Sequence, residues 1–557
     1  MAQLTRDASR RAAALMLLML ALVALPSLGR AQTTELTAAD RLALLYSRQL
    51  SFSDTGEPVV RIGIVDGLDE VRFTAAAPIK VLPAGPGGPV IEMPAAQDYV
   101  VQLRDGRAGT YKYYLVLERF TPAEGEALAA AESLWRQRGI EATKLELGAL
   151  FAISGAVFDN RESLLVSQPF DTTAEAEVTK KSIEEKHQVE VALHAELVQY
   201  PSAALTLARS AKDVVIHHQD LLWIQSGDHL ITLKDVPTES GKKQDVALLE
   251  ALVFTTDRHG KLAVVNVVGV ETALRGVVPA EIFATAPLAA LKVQAIAARG
   301  TLLSQIGVRH LADPYNLCNT QHCQVFAGMQ AAKNATDQAV LESRGEVLFA
   351  GKRIAETYYS SNCGGLMASP EEVWGLPPRP YLYAHSDELP SASRQAPPTE
   401  EELARLLATT PKTFCNTTHY SSGKNLRWEK GFSSQEIDEL VARRWPKLGA
   451  VQAIEVLERG VGGRVVKLAV TGTQGTEIIE RELPVRRLFG GLRSGLFVVK
   501  TERDAKGKVS GFTFVGGGFG HGVGMCQTGC MEMARQGHSY TGILEHYYPN
   551  TDVKKLW

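Results

Sequence analysis

The chain has 557 residues, is 45% hydrophobic and carries a formal net charge of −3. That length exceeds one ordinary hydrophobic core and suits about two to four domains. A charge so near neutral excludes the strong positive field that draws proteins to nucleic acid or anionic membranes. No basic stripe interleaved with aromatics offsets it, so nucleic acid is excluded as a partner.

In chain order, Arg6, Arg10 and Arg11 precede an apolar run from Ala12 to Leu25, Pro26 breaks the run, and small residues follow to Ala31. A basic segment, a short apolar segment and a small residue at the cut describe a signal peptide over 1–31. An uncleaved anchor is the alternative, although the run is short for a membrane span and no later segment offers one. The mature chain is therefore expected to be exported to the periplasm or cell envelope, with no transmembrane helix and in surroundings where disulfides persist. Its cysteines are Cys318, Cys323, Cys363, Cys415, Cys526 and Cys530, all in the C-terminal half.

Residues 32–110 read as strand-rich: Val59, Val60, Ile62, Ile64, Val71, Phe73, Ile79 and Val81 alternate with polar residues. Over 111–199 the rhythm changes. A strand at Tyr111–Arg119 precedes a helix opened by Thr121-Pro122-Ala123-Glu124 and closed by Gly139. Leu145–Val157 and Leu164–Gln168 read as strands, Asp171-Thr172-Thr173 caps a second helix, and Val189–Val198 is a last strand. This βαββαβ order, with the sequence SGAVFDNR, resembles the sporulation-related repeat (SPOR) fold. The resemblance implies a module that binds denuded glycan strands, and a fragment of about 108–201 is then expected to fold alone. The alternative is a structural α+β insertion without a ligand. From 200 to 557 strands dominate again, at Asp213–His217, Leu221–Gln225, His229–Leu233, Leu249–Thr255 and Leu262–Val270. One prominent helix interrupts them, opened by Pro287, with Leu288, Leu291, Ala295, Ala298, Leu302 and Ile306 at helical spacing. The fold class is α+β and multi-domain.

Four constellations could carry chemistry. In VGVETALRGVVPAE a strand is expected to end at a Val-Pro-Ala turn, leaving Glu281 between strand and helix. Val277, Val278, Ile282 and Phe283 could dry that carboxyl and raise its pKa; a solvated Glu near a helix start is the plainer reading. In GGGFGHGVGMCQTGC the glycines would let backbone approach a ligand and leave His521 accessible; a structural His is the alternative. In HLADPYNLCNTQHC two His and two Cys lie close together, zinc's usual ligands at a spacing that is not a zinc finger's; a small disulfide or free buried thiols would serve as well. YYSSNCGG suits either a sugar-binding wall or an ordinary turn.

Together VVPAE, ALKVQAIAAR, HCQVFAG, YYSSNCGG, EEVWG, NLRWEKGFS, GFGHGVGMCQTG and HYYPNTDV, in that order, resemble the catalytic domain of the sporulation protein D and amidase-enhancer family. The resemblance covers about 250–555. It implies a peptidoglycan lytic transglycosylase that cleaves the bond between N-acetylmuramic acid and N-acetylglucosamine and leaves 1,6-anhydro ends. Glu281 would be general acid and then base, and His521 would also be catalytic. Lys292, Arg299, Tyr358, Ser361 and Gln527 would line the cleft, and a structural zinc would sit on His310, Cys318, His322 and Cys323. No organic cofactor is implied. Cys526, Thr528 and Cys530 depart from the family's usual residues. A non-enzymatic enhancer of a cell-wall amidase is the alternative. Cys363 and Cys415 are further expected to form a disulfide, worth about 4 kcal/mol in the chain-entropy model.

Overall fold

The computed structural model describes residues 38–557, apart from 96–97, 211–212, 239–240, 392 and 422. The expected signal peptide lies outside the described residues. Among the described residues no helix is long and apolar enough to cross a membrane.

The alternation before residue 82 forms the strands Pro58–Leu68, Glu70–Ala75 and Ile79–Leu82. These join strands from beyond residue 200 in a twelve-stranded sheet. Its main path runs Ser51–Phe52, Pro58–Leu68, Leu262–Gly269, Lys243–Thr256, Leu221–Pro237, Glu70–Ala75, Tyr99–Arg107, Ser202–Ser210 and Asp213–Gln219. Two stretches distant in sequence therefore alternate within one sheet, because their inward residues fill the same core: Val60, Ile62, Phe73 and Val81 with Leu222, Leu252, Phe254 and Val264. The two strands expected at Leu221–Gln225 and His229–Leu233 are one long strand whose register shifts between Gln225 and Ile231.

The inserted segment is a four-stranded antiparallel sheet in the order Ala192–Gln199, Thr110–Phe120, Glu162–Ser167, Ala142–Leu147. Helices Gly125–Gln137 and Thr173–His187 cover one face through Leu115, Leu117, Trp135, Leu165 and Ile183. The second helix starts as expected, with Thr172 and Glu175 forming a capping box. The first starts later, at Gly125, because the Glu124 carboxylate turns back to accept from the Thr121 amide and hydroxyl at 2.6 and 2.8 Å. The strand expected over 145–157 breaks at Gly148, where φ is +87°. Beyond the break, Leu150–Ile153 and Ala156–Asp159 form a hairpin that leaves the module. Phe151, Ile153 and Phe158 enter the main core, with the Phe158 ring 5.0 Å from Phe349. The Gly148 amide donates to the Gly307 carbonyl at 2.7 Å, and Asn160 Nδ2 donates to the Ile306 carbonyl at 3.0 Å. The module's second sheet face, Val116, Leu147, Leu164 and Val166, packs with Leu311. The residues SGAVFDNR, on which the SPOR resemblance leaned, are thus a docking hairpin.

The region after the large sheet corrects one expectation outright. VETALRGVVPAE is not a strand and turn but a helix, Val270–Glu281. Val270, Ala273, Leu274, Val277 and Val278 repeat at helical spacing and are all fully buried. Pro279 lies in its last turn, and Ile282 is already extended. The prominent helix follows as Leu288–Ser304 with Pro287 as N-cap. It is buried from Ala290 to Leu303 except at Lys292. The C-terminal part holds a second core around Trp428, Ile437, Leu468, Val470, Phe497, Phe512 and Phe514.

Candidate active site

Glu281 is the last residue of its helix, so its carboxyl projects where the helical hydrogen bonding stops. Oε1 accepts the Val325 amide at 3.0 Å, and the Tyr359 hydroxyl donates to the same carboxyl. The Tyr359 hydroxyl is itself fixed by Gln324 Nε2 at 2.6 Å. Burial raises Glu281 to about 6, against the opposing pull of the Val325 and Tyr359 donors, which favour the carboxylate. Val277, Val278 and Ile282 are buried beside it as expected, whereas Phe283 is 61% exposed and dries nothing. Gln527 Nε2 donates to the Glu281 backbone carbonyl at 2.8 Å and to Gln294 Oε1 at 3.0 Å. Gln527 therefore clamps the end of the helix; its expected sugar contact becomes a positioning role.

His521 lies on the far side of Tyr359. Its Nδ1 accepts the Val523 amide at 3.0 Å, and the ring faces the Tyr359 carbonyl. Burial, reinforced by the charge of Arg464, pushes the imidazole down to about 3, so it is neutral at any working pH. With Nδ1 taken by the Val523 amide and the ring neutral, His521 is better placed to support the Tyr359 segment than to carry a proton. The glycines around His521 have positive φ, but their reason is internal. A Cβ on Gly522 would stand 1.8 Å from the Arg464 guanidinium, and one on Gly524 would stand 2.1 Å from the Tyr358 carbonyl. They admit the protein's own groups rather than a ligand. Trp374, from EEVWG, packs at a tilt against His521 at 4.9 Å and Tyr358 at 4.7 Å, forming a half-buried aromatic wall. Ser361 is half-buried next to it, with its carbonyl accepting from the Thr528 amide and hydroxyl.

Two expected cleft residues are paired with acids. Arg299 is fully buried and pairs with Glu271 through Nε at 3.1 Å and Nη2 at 2.7 Å; Nη1 donates to the Glu346 carbonyl. Its place in the long helix gives it a core ion pair, not a sugar. Lys292 pairs with Glu342 at 2.6 Å and lies over the Tyr540 ring. Both helix faces are decided by packing that the motif alone did not reveal.

The loop after the long helix brings His310, Cys318, His322 and Cys323 together, with ligand atoms all within 4.8 Å of one another. His310 Nε2 is 3.2 Å from Cys323 Sγ, and His322 Nδ1 is 3.6 Å from both sulfurs. Tetrahedral zinc with ordinary bond lengths makes an N-to-S edge of about 3.6 Å, so the donor set fits that ion. Asp313 accepts from His310 Nδ1 at 2.8 Å and is itself held by Arg258, a carboxylate–histidine support that orients the ring. Burial opposes the charged form of His310, yet its bonds to Asp313 and Cys318 outweigh it and raise the imidazole to about 9. Leu317–Cys318 pairs with Ile62 and Gly63 of the large sheet, which anchors the loop. Cys323 is followed at once by Gln324 and Val325, the residues that hold Tyr359 and Glu281.

Sequence reasoning missed Tyr359, Gln324, Val325, Trp374 and Asp313. Tyr359 sits inside a quoted motif, but only the strand's facing shows which of two adjacent tyrosines reaches the carboxyl. Asp313 carried a readable signal, an acid three residues from a candidate metal His.

Residues 258–349 match the family model described as Stage II sporulation protein. The chain is also 29% identical over 293 residues to the amidase enhancer of Bacillus subtilis, covering 50% of this chain and 40% of that one. It is 24% identical over 320 residues to stage II sporulation protein D of Bacillus amyloliquefaciens, covering 54% and 78%. Through this segment the chain is similar to the stage II sporulation protein D family. Another similar chain is an uncharacterised protein of Brachyspira hyodysenteriae, 29% identical over 294 residues, 52% of this chain and 68% of that one. Residues 368–524 match a domain of unknown function. The first matched segment holds Glu281, the His310–Cys323 loop and Gln324, while Trp374 and His521 fall in the second.

Proposed function

We propose that this protein is a member of the stage II sporulation protein D family and an exported peptidoglycan lytic transglycosylase of the cell envelope, acting on denuded glycan strands. The observation that carries the reading is Glu281: a half-buried carboxyl at a helix end, raised to about 6, whose partners are an amide and a phenol rather than a second carboxylate. A hydrolase of two carboxylates needs a partner to attack the sugar or activate water. One carboxyl suffices if the nucleophile belongs to the substrate. Glu281 gives its proton to the glycosidic oxygen as the C1–O bond breaks. It then takes the proton of the sugar's own C6 hydroxyl as that oxygen bonds to C1. The carboxyl is restored, and no water is consumed. Tyr359 and Val325 stabilise the carboxylate between the two steps, and the Tyr358–Trp374 wall offers apolar faces for a sugar ring. His310, Cys318, His322 and Cys323 would hold zinc, which when bound supplies structural cross-linking of the loop.

Incubation with denuded and with peptide-bearing peptidoglycan, followed by mass analysis, tests this. Anhydro-ended products from denuded glycan are expected, and Glu281→Gln should lower the rate by at least about 10²–10⁴ while circular dichroism stays unchanged. Reducing ends instead would mean hydrolysis, and full activity of the variant would remove Glu281 from the chemistry. The relative named amidase enhancer favours a second reading, stimulation of a separate cell-wall amidase. Stimulation of an added amidase without cleavage would select it.

A further inference from the structure

Close in sequence to Ser361 and Gln527, Cys363 and Cys526 meet a third cysteine and an aspartate in a site the proposed chemistry does not use. Cys363, Asp387, Cys415 and Cys526 place one ligand atom each within 4.8 Å of all the others, and all four are fully buried. They come from four separate segments, so only the fold assembles them. The expected Cys363–Cys415 disulfide is not formed: the thiols are free, with sulfurs 3.6 Å apart. Two thiolates on one tetrahedral zinc stand about 3.8 Å apart, given ordinary zinc–sulfur bonds. Polar groups reach all three sulfurs. The Cys363 amide donates to Cys526 Sγ at 3.3 Å, the Gly365 amide donates to Cys363 Sγ at 3.4 Å, and the Thr413 hydroxyl lies 3.3 Å from Cys415 Sγ. The buried Arg464 guanidinium is anchored on the Cys363 carbonyl at 3.1 Å, and Arg427 is anchored on the Gly364 carbonyl. Asp387 is fixed as a ligand would be: it accepts from the Cys415 amide and the Tyr547 hydroxyl, each at 2.8 Å. Gly529 makes room for it, since a Cβ there would stand 2.2 Å from the Tyr547 hydroxyl and 2.9 Å from Asp387 Oδ2.

We propose that Cys363, Asp387, Cys415 and Cys526 form a second, closed metal site that takes one zinc ion as the chain folds. Three sulfurs and one carboxylate oxygen select a borderline-soft divalent ion with four ligands and no open position, which is a structural site. Each thiol releases its proton to solvent when its sulfur ligates. The ion ties the Cys363 loop to the start of the helix Gln527–Arg535, and so fixes Gln527, which clamps the end of the Glu281 helix.

Metal content of the full chain, purified under reducing conditions and dialysed against a weak chelator, tests this. Two zinc ions per chain are expected. Cys318→Ser/Cys323→Ser should halve the content, and Cys415→Ser should halve it independently. If Cys415→Ser fails to fold, the Cys318→Ser/Cys323→Ser protein refolded with cobalt decides. A sulfur-to-cobalt charge-transfer band supports the second site, and its absence overturns it. A single zinc that disappears with Cys318 and Cys323 also overturns it. So does recovery of a linked Cys363–Cys415 peptide from chain freshly exported and digested without reductant.

Discussion

Tyr359 joins the two residues the motifs singled out: its hydroxyl donates to the Glu281 carboxyl, and its carbonyl faces His521. Because that hydroxyl favours the carboxylate, it holds Glu281 lower than burial alone would. Cleavage needs the protonated form first, so activity should fall as pH rises through about 6. Tyr359→Phe should move that limb to higher pH, since the lost donor raises the carboxyl further. The pH profile of kcat/KM for wild type and variant checks the direction, and an unmoved limb would sever Tyr359 from Glu281. Arg299 tests a different kind of residue. Arg299→Met would strand Glu271, which also accepts from the Gly345 amide and the Trp557 indole, at a cost of about 3–5 kcal/mol. Urea denaturation should register that loss. Glycan affinity of the folded fraction should be unchanged, and a weakened affinity would return Arg299 to the cleft.

At the scale of elements, the loop between the long helix and Gln324 matters more than its irregular shape suggests. Its His and Cys ligands come first, and the donors to Tyr359 and Glu281 follow directly after Cys323. The loop's geometry is passed to the carboxyl through a few backbone bonds. Asp313 orients His310 from behind, so Asp313→Asn should weaken zinc at this first site by about 10–100-fold, read by chelator competition. An unchanged affinity would mean that His310 is not a ligand. The helix Val270–Glu281 shows how the period misleads when Pro sits nearby. Val-Pro-Ala reads as a turn, yet Val270, Ala273, Leu274, Val277 and Val278 bury a full helical stripe, and that burial outweighs the Pro in the final turn.

For the whole molecule, the hairpin that leaves the inserted module joins the core of the body. The hairpin's Phe158 lies against Phe349, and Ser154 Oγ donates to the Leu556 carbonyl near the C-terminal end. A fragment of about 108–201 would expose Phe151, Ile153 and Phe158, so it should aggregate rather than fold alone. In the full chain, Phe158→Ala should cost about 3–5 kcal/mol and raise hydrogen exchange in Leu288–Ser304 as well as in the module. Exchange confined to the module would mean that it docks without supporting the body.

The sequence by itself determined the strands of 58–82, the long helix after Pro287 and the capped helix at Thr172, because period and caps act over short distances, while the resemblance of its motifs marked Glu281 and the His–Cys loop as candidates. Only the tertiary structure decided that two distant stretches share one sheet and that SGAVFDNR docks rather than displays. It alone made Arg299 a core partner and His521 a neutral support, and it alone brought Cys363, Asp387, Cys415 and Cys526 to one point. Those outcomes depend on which buried faces meet across the fold, and no local pattern records the partner of a buried face.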